Sequence, residues 1–242
     1  MPDISCTVSQ IGTRTVVRLR GDLCTATAPQ VRAALLKCLV ERPDAVIAEL
    51  GDLRVRDRVA LAVFGAVARQ AALWPGTPLL LSDAGGGFTE LFASGRYGRM
   101  PPVLATTEDA LRMPSGEQTP WLADSLLPLG GAAAHARRLA AEACERWNQP
   151  ALVDPARIVA GELVTNAMVH AQTMIDLRFS LGRRYLLIAV RDGSDEIPRR
   201  QPGDPLDPGT PRGLFLVEQF ARRWGAVPAE GGKVVWAGLP LV

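Results

Sequence analysis

Residues 161–171 read Gly161-Glu162-Leu163-Val164-Thr165-Asn166-Ala167-Met168-Val169-His170-Ala171. The stretch predicts the middle of an amphipathic helix. Apolar residues fall at Ile158, Val159, Leu163, Val164, Ala167 and Val169, close to helical spacing. Glu162, Asn166 and His170 are each four apart, so they share one stripe. A carboxylate, a carboxamide and an imidazole beside apolar residues form a candidate site. The plain alternative is a helix whose edge carries satisfied polar residues, and His170 fits that alternative best.

Working outward, residues 121–129 are apolar and predict extended chain. Residues 131–147 predict a helix with Ala136, Leu139, Ala140, Ala143 and Trp147 on one side. The key helix opens at Asp154 or Pro155. Residues 173–180 and 185–190 predict a hairpin turning near Gly182. The second strand runs into Arg191-Asp192-Gly193-Ser194-Asp195. Residues 196–212 are dense in Pro, Gly, Asp and Arg without periodicity and predict a mobile loop. A helix over 213–223 and strands over 224–228 and 233–239 complete this half.

Taken together, Glu162-Leu163-Val164-Thr165-Asn166-Ala167, then Val190-Arg191-Asp192-Gly193-Ser194, then Arg212-Gly213-Leu214-Phe215-Leu216-Val217 stand in a telling order. Arg223-Trp224-Gly225 and Gly232-Lys233-Val234-Val235-Trp236 follow. The set resembles the ATP-binding domain shared by histidine kinases, gyrase B and MutL, a Bergerat-type α/β sandwich. More closely it is similar to the actinobacterial branch of anti-sigma-factor serine kinases, over residues 121–242. The resemblance implies ATP and Mg²⁺ as cofactors, with Asn166 as the protein's metal ligand. That suits Mg²⁺, which takes hard oxygen ligands and few from protein. Glu162, one turn earlier, is then the catalytic residue, orienting a metal-bound water or accepting a proton from an attacking hydroxyl. Asp192 is the acceptor for the exocyclic amine of adenine, and Gly193 lets backbone approach the base. Gly213 and Leu214 present N–H groups at a helix start to phosphate, with Arg212 adding charge.

Two departures from that branch predict weakened nucleotide binding. Pro211 stands where the branch has Gly and removes one N–H donor from the phosphate loop. Val234 stands where the branch has a threonine whose hydroxyl helps the aspartate hold adenine. Losing such a bond costs on the order of 1 kcal/mol.

The first half predicts β-β-α-β-α-β-α-β-α: strands near 4–10, 15–20, 45–50, 78–82 and 103–105, and helices near 28–41, 57–73, 87–95 and 108–113. Thr27 is placed to cap the first helix. Strands alternating with helices imply an α/β fold with a mainly parallel sheet. This order, with residues 46–61 at its centre, resembles the STAS domain of anti-sigma-factor antagonists over residues 1–113. That family carries Asp-Ser-Ser-Gly here, its second serine accepting phosphate. This chain has Asp57-Arg58-Val59-Ala60. Val59 has no hydroxyl, so the position accepts no phosphate, and Asp57 reads as a helix cap. Residues 114–120, rich in breakers, predict a linker.

The expectation is therefore a two-domain partner-switching regulator: an α/β STAS-like domain, then an α+β ATP-binding domain. Its expected partners are a sigma factor or a STAS-domain antagonist protein, with a homodimer possible. The alternative is a catalytically inactive scaffold. The bulk composition sets outer limits. The net charge is +2, with 13 Arg/Lys against 11 Asp/Glu in residues 1–113 and 14 against 14 thereafter. Such an even spread argues against a nucleic-acid surface. The chain has no membrane-length apolar run and no signal pattern, which predicts a cytoplasmic protein. Four scattered cysteines predict buried, reduced thiols. Lys37 and Lys233 are the only lysines, which reads as genome composition.

Overall fold

The computed structural model describes residues 2–73, 76–94, 100–114, 120–198 and 213–241. The chain divides into two compact units, Met1–Gln118 and Thr119–Val242. Residues 115–119 of the expected linker and 199–212 of the expected loop, Pro211 and Arg212 among them, lie outside the described residues.

In the first unit, strand β1 (Ile4–Ile11) turns at Gly12 into β2 (Arg14–Leu23) and pairs with it antiparallel. Then follow helix α1 (Ala28–Val40), β3 (Val46–Val55), a 3-10 turn (Arg58–Leu61) running into α2 (Ala62–Leu73), β4 (Leu79–Ser82), α3 (Gly87–Ser94), β5 (Val103–Leu104) and α4 (Thr107–Arg112). The sheet order is β1-β2-β3-β4-β5, with every pair after the first parallel. The mixed α/β layout expected from the alternation is therefore present.

A central parallel strand is covered on both faces and so needs an unbroken apolar run. Val46, Ile47 and Ala48 are such a run, and all are fully buried. On one face Val16, Ala45, Ile47 and Leu80 pack with Ala110 of α4. Buried Arg14 donates to the carbonyls of Ala110 and Met113, closing the C-terminal end of α4.

Thr27 departs from the expected cap. Its hydroxyl makes no bond to the α1 N-terminus. It donates to Asp22 O at 2.8 Å and accepts from Cys24 N at 3.0 Å instead, because the backbone turns right-handed one residue early. Pro29 in the first turn lacks an N–H, so the capping demand is smaller.

The second unit runs β6 (Trp121–Leu126), α5 (Ala132–Arg146), a 3-10 turn (Pro150–Leu152), α6 (Val153–His170), β7 (Ile175–Leu181), β8 (Tyr185–Asp192), α7 (Gly213–Phe220), β9 (Arg223–Ala229) and β10 (Gly232–Pro240). The sheet order β6-β7-β8-β10-β9 is antiparallel throughout. Alternate residues of the strands, among them Leu177, Phe179, Ile188, Val190, Val235 and Ala237, join the inward residues of α5, α6 and α7 in one core. Each large side chain buried there contributes about 1.5–3 kcal/mol.

Small residues let the two long helices approach. A Cβ on Gly161 would lie 2.7 Å from Arg137 Nε of α5. Gly161, in the middle of α6, is thus where Arg137 crosses it. Val169, expected on the buried face, is 61% exposed, because it lies three residues after Asn166 and seven after Glu162 and so shares their polar stripe.

Candidate functional site

α6 carries the polar stripe. Glu162 and Asn166 are half-buried, and His170 is exposed in the last turn. Thr165, between them, returns its hydroxyl to Gly161 O at 2.7 Å and so turns away from solvent. The first described residue of α7 lands on the same stripe. A Cβ on Gly213 would lie 2.9 Å from Glu162 Oε2 and 3.3 Å from Asn166 Oδ1. A side chain at 213 would displace the tips of Glu162 and Asn166. Leu214, next along, is half-buried. A carboxylate, a carboxamide and the backbone of Gly213 therefore share one spot.

The other end of the site is the C-terminus of β8. The Asp192 side chain is 2% exposed. Its Oδ1 accepts from Ser194 N at 2.9 Å and from Lys233 Nζ at 2.9 Å. Lys233, 5% exposed at its side chain, also donates to Ser194 O at 3.2 Å. Gly193 N donates to Thr173 Oγ1 at 2.7 Å, which ties the turn after β8 to the loop after α6. The α6 stripe and Asp192 are thereby joined through residues 171–173.

Glycine is required where β10 begins. Gly232 has φ +154, and a Cβ there would lie 2.0 Å from Asp192 O and 2.7 Å from Gly193 Cα.

Register corrects one expectation. Lys233 sits opposite Asp192, and Val234 sits opposite Arg191. Neighbouring side chains on a strand point to opposite faces. Val234 therefore faces away from Asp192, and its missing hydroxyl removes nothing from that carboxylate. Lys233 occupies the facing position, and sequence reasoning passed over it. The usable signal was its rarity, one of two lysines, together with counting by twos along the strand. Thr173 was also missed: it was read only as the first residue of a strand.

These residues fit Mg-ATP. Glu162 and Asn166 have no hydrogen-bond partner among the described residues, and Asp192 makes both its bonds through Oδ1, leaving Oδ2 for another donor. No cluster of three or more His, Cys, Asp or Glu forms a metal cage among the described residues. Mg²⁺ needs no cage, because it keeps waters and takes phosphate oxygens.

The matching position of the first unit is plainer. Asp57 Oδ1 accepts from Val59 N at 2.9 Å and caps the 3-10 turn. Val59 is 69% exposed.

The thiols lie apart from both places. Burial pushes Cys38 and Cys144 up to about 11. Cys6 and Cys24 are half-buried rather than buried, and the Thr27 hydroxyl lowers Cys24.

Family comparisons place both halves. Residues 129–238 match the model of the histidine kinase-like ATPase domain. Residues 6–110 match that of the STAS domain. The chain thus joins a STAS domain to a histidine kinase-like ATPase domain. Among solved structures, it is similar to an anti-sigma factor antagonist from Mycobacterium paratuberculosis. Identity there is 22%, over 45% of this chain and 92% of that one, with a TM-score of 0.39. It is also similar to the anti-sigma factor antagonist SpoIIAA in its unphosphorylated form. Identity there is 18%, over 44% of this chain and 94% of that one, with a TM-score of 0.35. A search of curated proteins gave no significant match. Among the described residues, no helix is long and apolar enough to cross a membrane.

Proposed function

We propose that this chain is a partner-switching regulator of transcription. Its second unit binds ATP with Mg²⁺ and acts as a serine kinase of the anti-sigma-factor type. The observation that carries the reading is the meeting of Gly213 with Glu162 and Asn166. Asn166 is the metal ligand, Gly213 and Leu214 hold phosphate through backbone N–H groups, and Asp192 with Gly193 holds the base. Bound Mg²⁺ would neutralise phosphate charge. Glu162 is placed to take a proton from an attacking hydroxyl. The resemblance adds Arg212 as a positive charge toward phosphate.

The substrate is a STAS-domain antagonist other than the chain's own, because Val59 offers no hydroxyl at the acceptor position. A sigma factor is the second partner, which puts the work of the protein in the cytoplasm. A kinase-dead scaffold is the competing outcome.

Two measurements separate them. Calorimetry with Mg-ATP should give binding in the wild type that falls at least about tenfold in Asn166→Ala. Radiolabel transfer from ATP to a separate STAS protein bearing the serine should fall about 10²–10⁴-fold in Glu162→Ala, with ATP affinity kept within about threefold. Binding without transfer would leave the scaffold reading. No binding would remove the nucleotide from the account.

A further inference from the structure

Lys233 is a costly residue to place where it is. A buried ammonium is tolerated only when paired and hydrogen-bonded. The chain otherwise uses arginine, with 25 of its 27 basic residues of that type. Yet at the position facing Asp192 it carries a lysine, whose compact head fits where a planar guanidinium demands more room.

Both bonds to the Asp192 carboxylate, from Lys233 Nζ and from Ser194 N, fall on Oδ1. The same ammonium reaches Ser194 O, so it spans the turn that carries Gly193. With Oδ1 taken twice, the carboxylate is fixed in rotation. Its second oxygen is left over, and an ionised carboxylate oxygen only accepts.

We propose that Lys233 is a positioning residue for base recognition. It holds Oδ1 of Asp192 so that Oδ2 meets the exocyclic amine of a 6-aminopurine nucleotide. Lys233 is the β10 residue on the face of Asp192, and the neighbouring Val234 faces the other side of the sheet. The inference rests on the ATP reading above and names what sets its base preference. A 6-oxopurine presents an acceptor where the amine would be, and an acceptor facing Oδ2 is rejected. A site built around a hydrogen-bonding group discriminates strongly against the analogue that lacks its counterpart.

The experiment compares Mg-ATP with Mg-ITP, the 6-oxo analogue, by calorimetry on the full chain and on Lys233→Met. The wild type should prefer ATP by about tenfold or more. In Lys233→Met the ratio should fall to within about threefold of unity, through loss of ATP affinity while ITP affinity stays within about threefold.

Should Lys233→Met fail to fold, the wild type still decides. With lysine labelled in ¹³C and ¹⁵N, only Lys37 and Lys233 give signals, the first exposed and the second buried. ATP should shift the Lys233 side-chain signal, ITP at matched saturation should shift it far less, and Lys37 should not move. Equal base selectivity in the variant, or equal shifts with both nucleotides, would overturn the role of Lys233 and leave ATP binding standing. A wild type that binds neither nucleotide would sink the ATP reading and this inference together.

Discussion

Asp57 and Asp192 make the same local bond. Each ends an extended segment, and each accepts through Oδ1 from the N–H two residues on, at 2.9 Å in both cases. Each lies in a unit that matches a known domain. Their surroundings separate them. Asp57 lies at the surface beside Val59, which is 69% exposed. Asp192 is buried, paired with Lys233, and followed by Gly193, which Gly232 lets lie close. The bond to the backbone is a turn device that any aspartate can make. What marks a site is the cost around it: a buried charge, a partner on the next strand, and a glycine with no room for a Cβ. On that measure the Asp192 turn is the stronger candidate for a site, and the Asp57 turn is a cap.

The sharpest way to break this contrast is Gly232→Ala. Its methyl would meet backbone atoms of Asp192 and Gly193, at a φ that L-residues avoid. Backbone cannot step aside as a side-chain tip can. The expected cost is on the order of 3 kcal/mol or more. Thermal unfolding should show the second unit melting about 10 °C lower or worse. A variant with unchanged melting would mean the Asp192 turn is looser than its contacts imply.

Gly213→Ala tests the other end of the site, with a different balance. The nearest atoms are the tips of Glu162 and Asn166, which can swing away. Stability should change by less than about 1 kcal/mol. ATP affinity should fall about tenfold, because the Gly213 backbone and the two side chains no longer share their spot. Calorimetry beside a melting curve reads both. A parallel fall in stability and affinity would turn Gly213 into a packing residue and weaken the site.

The two halves were legible in the sequence to different depths, for physical reasons. The sheet of the first unit announced itself because a central parallel strand must be apolar on both faces, as Val46, Ile47 and Ala48 are. Helix α6 and the Asp192 turn were legible because polar residues at helical spacing and Asp-Gly after a strand are local patterns. Three features were misread. Thr27 turned its hydroxyl back to Asp22 when the backbone, not the residue type, chose the geometry. Val169 was read into the apolar stripe but, three residues after Asn166, falls on the polar one. Lys233 was hidden because its meaning comes from a partner 41 residues away, across a strand pairing whose register the sequence does not state.

The smallest expected effect closes the contrast from the side of the first unit. Asp57→Ala removes one cap from a short 3-10 turn and one bond at the surface. Capping losses of this kind cost about 1 kcal/mol. The aspartate has no buried partner to strand, so no further penalty follows. Denaturant unfolding followed on the first unit should therefore shift slightly, with an unchanged slope because the surface exposed on unfolding is the same. ATP affinity should not change. A larger loss, or any fall in nucleotide affinity, would mean that Asp57 does more than cap. The contrast with Asp192 would then be one of degree, and the acceptor loop of the first unit would have to be counted as a working part despite Val59.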